Sequence, residues 1–281
     1  MNDGWTALDP TLGRQLTDAR LAVHWAAQLA SAPGTSLLPP EDDFGHTTLR
    51  WDPTAEALRG AALPVGLAAA LRLAPFTLAL LEGDGRIGDE LPLAGRTLDD
   101  GLRWLTERLR EHAHGDLRAP IDRPRHDLPS HPVEAGAAFD TPEPRHLREL
   151  AAWFGNAQAA LEETRLEQTG TSPVRVWPHH FDIAALSVLD PELDPEVARS
   201  VGFGMAPGDA GVPEPYFYVN CWPPPPSPST PALGHGETWH TEGWVGASLA
   251  SSALRAGAEQ GAQVRGFLRD AIRACKGMLQ R

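Results

Sequence analysis

The residues best suited to chemistry stand in one short run, Trp177-Pro178-His179-His180-Phe181-Asp182, and in a later one holding His235, Glu237, His240 and Glu242. Imidazole beside carboxylate can act as acid and base, or can hold a divalent metal. Side chains alternate across a strand. If the strand runs through the first motif, His180, Asp182 and Ala184 share one face, and His179, Phe181 and Ile183 take the other. The two-residue step is about 6–7 Å, short enough for His180 and Asp182 to reach one ion or one substrate. Pro178 cannot donate to a ladder and marks a strand start or an edge. The expected catalytic groups are His180, Asp182, His240 and Glu237. The expected metal set is His180, Asp182 and His240, binding one divalent ion such as zinc, iron or manganese.

A ligand wall is expected opposite. In a strand over 216–222, Tyr216, Tyr218, Asn220 and Trp222 share a face, which offers aromatic area with polar tips. Phe217, Val219 and Cys221 take the apolar side, so Cys221 reads as a small buried hydrophobe. Trp177 and Trp239 complete the expected ligand-binding set. A Glu237-x-x-His240 pair would need a helix, and the glycines at 234, 236 and 243 oppose one.

Several apparent motifs fail on context. Gly83-Asp84-Gly85-Arg86-Ile87-Gly88 matches a dinucleotide fingerprint in letters, but Asp89-Glu90-Leu91-Pro92 cannot open the helix that would hold a pyrophosphate. Asp84-Gly85 reads as a hairpin turn instead. The chain has no Walker lysine motif and no G-x-S-x-G elbow.

These groups must be positioned by a chain of 281 residues, 42% hydrophobic and 22% charged, long enough for a sizeable core. A net charge of −13 opposes a nucleic-acid or anionic-membrane partner and fits a small-molecule ligand. Two cysteines make neither a disulfide framework nor a structural zinc site. Met1-Asn2-Asp3-Gly4-Trp5 lacks the opening of a secretion signal, and the apolar stretch 61–81 is broken by Arg72, Pro64 and Pro75, so a cytoplasmic location is expected.

Two α+β halves are expected, 1–114 and 142–281, joined by a Pro-rich connection over 115–141. The first half predicts a helix over 16–30 striped by Leu21, Trp25, Gln28 and Leu29, with His24 off the stripe and solvated or between helices. Strands are expected at 46–51, 57–63, 76–82 and 90–93, with a short helix over 66–73. A Thr97-capped helix carrying Leu98, Leu102, Leu105 and Leu109 closes the half. The second half predicts a helix over 142–167, strands at 174–177, 181–188 and 216–222, and a terminal helix striped by Val264, Phe267, Leu268, Ala271, Ile272 and Cys275. Pro223 to Pro226 suggest a polyproline II loop. The repeated order implies an internal duplication within one compact α+β unit of antiparallel sheets and packed helices.

The segments W-P-x-H-F-D at 177–182, Pro207-Gly208-Asp209, and Glu214-Pro215-Tyr216-Phe217-Tyr218-Val219 resemble those of an uncharacterised bacterial family, a domain of unknown function. That resemblance implies an α+β fold and supplies no activity. Three function classes stay open on these residues. The first is a small-molecule-binding protein with its pocket in the second half. The second is a hydrolase or isomerase using metal or acid/base chemistry. The third is an interaction module without a site.

Overall fold

A computed structural model describes residues 4–114, 120–194 and 196–280. Residues 115–119 of the Pro-rich connection, residues 1–3, residue 195 and residue 281 lie outside the described residues. The fold is α+β with two antiparallel sheets, one five-stranded and one six-stranded. It is not one compact unit: the chain divides into two. The first comprises Leu16–Ala151 and Val176–Phe181, the second Met1–Gln15, Ala152–Arg175 and Asp182–Arg281. The division therefore does not run through the Pro-rich stretch. It crosses the helix Pro144–Leu166 and the motif at 177–182.

In the first unit, helix α1 (Thr17–Leu37) packs on a meander of β1 (Arg50–Asp52), β2 (Ala57–Arg59), β3 (Leu67–Arg72), β4 (Thr77–Glu82) and β5 (Ile87–Pro92). Helix α2 (Leu98–His112) packs beside α1. The Thr97 hydroxyl accepts from the Asp100 N–H, and the Asp100 carboxylate accepts from the Thr97 N–H, a capping box that ends the preceding loop. The expected helix over 66–73 is instead β3, and its alanines oppose Leu81, Leu80 and Ala79 of β4. Alanine favours helix, but β3 is buried on both faces, so no alternation betrays the strand, and cross-strand pairing overrides the propensity. The expected strand over 46–51 is a 3₁₀ turn, Gly45–Thr47, before β1 begins at Arg50.

Of the two expected settings for His24, solvated or between helices, burial excludes the solvated one. Alanines at 19, 22, 26, 27, 30 and 32 are buried along α1, so almost no face of that helix is left for solvent.

Helix α3 (Pro144–Leu166) contributes its latter part to the second unit. Strand β6 (Arg175–Trp177) and a four-residue loop lead to β7 (Asp182–Val188), β8 (Ser200–Ala206), β9 (Tyr216–Trp222), β10 (Thr238–His240) and β11 (Gly246–Ala250). Their order in the sheet is β10-β11-β9-β8-β7-β6. Helix α4 (Gln260–Leu279) lies on the inner face, against β9, β8 and β11. Ile183, Val201, Phe203, Met205, Phe217, Val219, Ala247 and Leu249 point into this core with Val264, Phe267, Leu268 and Ile272 of α4, all buried. The core amide of Gln260 clamps the N-terminal segment, accepting from the Leu8 N–H at 2.9 Å and donating to the Leu8 carbonyl at 2.9 Å. The two sheets differ in strand number and order, so the duplication gains no support from topology.

Candidate functional site

The loop between β6 and β7 is the motif itself. Pro178, His179, His180 and Phe181 form a tight turn in which the Phe181 N–H donates to the Trp177 carbonyl at 2.7 Å. Phe181 sits at φ 59, left-handed backbone. That turn breaks the alternation the expected faces relied on. Strand geometry begins only at Asp182, and His180 does not share a strand face with it. The same arrangement, a four-residue loop whose last residue is left-handed, joins β1 to β2 at Glu56 (φ 48) and β3 to β4 at Phe76 (φ 61).

Helix α1 holds the loop in the first unit. The Pro178 carbonyl accepts from Gln28 Nε2 at 2.7 Å and lies 2.9 Å from His24 Nε2. A carbonyl only accepts, so Nε2 of His24 carries the proton. The His24 ring stacks on Phe181 with centroids 4.7 Å apart. Burial, with lesser effects from nearby Arg20, His126 and His179, lowers the His24 pKa to about 4. His179 and His180 are exposed on the loop, 4.1 Å apart between ring centroids, and Trp177 meets His179 edge-on.

In the second unit, the face of the six-stranded sheet away from α4 gathers six of the expected site residues: Asp182, Tyr216, Tyr218, Asn220, Trp222 and His240. Register places them. Ser248 of β11, Tyr218 of β9, Gly204 of β8 and Ala184 of β7 oppose one another in a row. The next row runs His240, Gly246, Asn220, Gly202, Leu186. The two β8 glycines leave room that Tyr218 and Asn220 use. A Cβ at Gly202 would stand 2.3 Å from Asn220 Oδ1, and one at Gly204 would stand 2.8 Å from the Tyr218 hydroxyl.

The Tyr218 hydroxyl donates to Asp182 Oδ2. Burial first, then the Asp182 charge and that hydrogen bond, raise the phenol well above its ordinary range, so it stays neutral and oriented. Tyr216 is tied in the same way to Asp209. His240 Nε2 lies 2.8 Å from Ser248 Oγ, and its ring stacks on Trp244 with centroids 4.4 Å apart. Burial pulls the His240 pKa below its ordinary value against the opposing charge of Asp209. Asn220 is half-buried and its amide makes no hydrogen bond to the described residues. Trp222 is exposed beside it, its N–H donating to the Glu196 carbonyl at 3.1 Å.

Two expected residues hold the loop before β10 instead of facing a ligand. Glu237 accepts from the backbone N–H of Leu233 at 2.7 Å and of His235 at 3.0 Å. Burial opposes its ionisation, but those bonds outweigh it and hold the carboxyl below its ordinary range. Trp239 donates to the Pro231 carbonyl at 2.8 Å and takes the opposite side of β10 from His240. Trp177 and His180 belong to the first unit. Among the described residues, no group of three or more His, Cys, Asp or Glu could hold a metal ion. The expected set His180, Asp182 and His240 is therefore not assembled.

Ser248, Gly202 and Gly204 were not expected at the site. The glycines had a signal: Val201-Gly202-Phe203-Gly204-Met205 alternates large apolar residues with glycine, a strand with one bare face. Ser248 had none, because the short strands β10 and β11 sit in a stretch that reads as polar and glycine-rich. Comparison of the chain with protein-family models, curated proteins and solved structures finds no match.

Proposed function

We propose that this chain binds a small polar molecule, one with a flat or ring portion, on the open face of its six-stranded sheet. The observation that carries the reading is the pairing of Gly202 and Gly204 with Asn220 and Tyr218. The glycines leave the room in which the Asn220 and Tyr218 side chains lie across β8, and the Asn220 amide offers a donor and an acceptor not consumed among the described residues. Trp222 supplies exposed aromatic area next to it. The Asp182–Tyr218 bond supports the reading because it removes one rotatable polar group from the wall before any ligand arrives.

A second reading rests on His240 and Ser248, whose 2.8 Å separation is that of a base and a hydroxyl nucleophile. Ser248 is only 3% exposed, and no carboxylate among the described residues hydrogen-bonds the other ring nitrogen of His240. Binding without covalent chemistry is the better supported function. We also place the chain in the uncharacterised bacterial family its segments resemble and in the cytoplasm. Its two buried free cysteines suit that compartment. Its charge of −13 speaks against a nucleic-acid partner. Among the described residues no helix is long and apolar enough to cross a membrane.

A thermal-shift screen of polar ring metabolites on the wild type and on Gly202→Ala tests the reading. A compound that binds the native fold raises its melting temperature by mass action. The added methyl displaces the Asn220 amide, a flexible group, so the variant folds and loses the shift. Equal shifts in both proteins would count against the sheet face.

A further inference from the structure

The first unit carries a second concentration of polar side chains that the sheet face does not use. His126 meets His179 edge-on with ring centroids 5.5 Å apart, and His179 in turn lies 4.1 Å from His180. Three imidazoles from two separate segments thus meet around the exposed tip of the β6–β7 loop. None of the three is hydrogen-bonded to the described residues, and Nδ1 of His126 is buried without a partner. Arg123 stands three residues before His126, its guanidinium 5.1 Å above the Trp25 ring. No carboxylate is ion-paired with Arg123 among the described residues.

The electrostatic surroundings are one-sided. Burial first, then the charges of Arg123 and His180, lower the His126 pKa; burial, then His180 and His126, lower that of His179 to about 4. No carboxylate contributes to the lowering at His126 or His179. His131, a few residues along the same segment, feels Asp140 and Asp18 instead. Asp122 and Asp127 flank the segment in sequence and are both exposed, and Asp99 and Glu134 line a groove together with Arg123 without pairing with it. In a chain of net charge −13, three imidazoles gathered without a carboxylate bonded to any of them are unusual among the described residues. The rings offer N–H donors and Arg123 a positive charge, which is what a tetrahedral oxyanion takes up.

We propose that Arg123, His126, His179 and His180 form a binding site for a small oxyanion of the phosphate class. The proposed ligand is an anion and not a metal, because among the described residues no group of three or more His, Cys, Asp or Glu has an arrangement that could hold a metal ion. Packing of ring on ring does not account for the site either. It leaves the Nδ1 of His126 buried without a hydrogen-bond partner among the described residues, which is unfavourable when nothing occupies it. An oxyanion accepts from that nitrogen once it is protonated, from the exposed rings beside it and from the guanidinium.

The test is a titration of the full chain at pH 7 with inorganic phosphate, ionic strength being held constant with chloride, while the histidine ring-proton resonances are followed by NMR. Saturable shifts of His126, His179 and His180 are expected. They should weaken by about tenfold or more in Arg123→Gln, the equivalent of one charge-assisted hydrogen bond. The double variant His126→Asn/His179→Asn should abolish binding. Arg123→Gln keeps the test valid should the double variant fail to fold, because Arg123 is half-buried and bridges no acid. The proposal is overturned by shifts that do not saturate, by chloride reproducing them, or by an unchanged affinity in Arg123→Gln. Acetate serves as the carboxylate arm, and tighter binding of acetate than of phosphate overturns the phosphate class.

Discussion

Tyr218 and His24 show what single side chains do in each unit. Tyr218 brings a neutral phenol to Asp182 on a half-buried face. Replacing it by phenylalanine deletes the donor and leaves the carboxylate less well solvated, so Tyr218→Phe should cost about 1–3 kcal/mol in a urea melt. His24 is the pH-sensitive residue. The unfolded chain protonates this ring near 6.5, while the folded protein resists until about 4. Between those values the unfolded state binds more protons, so stability falls as pH falls. The contribution is complete above pH 6.5 and is lost by pH 4, about 3 kcal/mol in all. Denaturant melts across that range should show this slope in the wild type and a flatter one in His24→Gln. At this scale the sequence was readable only in part. Asp182, Tyr218 and Asn220 could be named because a strand period puts them together. The burial of His24 could not, because nothing in the chain shows that an alanine-rich helix will be covered on nearly every side.

At the scale of elements, the three four-residue loops explain most of what was misread. Each ends in a non-glycine residue with left-handed backbone, so the turn signal that glycine would have left in the sequence is missing. The strand that seemed to run through His180 therefore starts two residues later, and its alternation of faces with it. Glu56 makes the cost measurable. It is exposed and held at φ 48, a conformation glycine adopts freely. Glu56→Gly should stabilise the protein by up to about 1 kcal/mol, and a loss of stability would show that Glu56 makes a contact worth more than the strain. Helix α2 was legible from its cap onward, since Thr97 and Asp100 satisfy each other's backbone N–H within one turn. Strand β3 was not, because an alanine run paired on both sides carries helical propensity and no period.

At the scale of the molecule, the α+β class was legible, because helical stripes and period-2 runs both occur. The division into units was not. Residues 1–15 belong with 152–175 and 182–281, while 176–181 return to the unit of 16–151. Only packing can show such an interleaved assignment, whereas proline content marks a loop without saying which core it crosses. One consequence is testable. Fragments 1–114 and 142–281 each lack part of a unit, so neither should give a dispersed amide spectrum alone. A folded, monomeric 142–281 would contradict the assignment. The central claim is that the face of the six-stranded sheet that carries Tyr218 and Asn220 over the β8 glycines is a ligand site. Isothermal titration of a metabolite identified by thermal shift, into wild type and into Asn220→Leu, tests it most directly. The account predicts saturable one-site binding that is weakened about tenfold or more when the amide is replaced. Equal affinity for both proteins would contradict it.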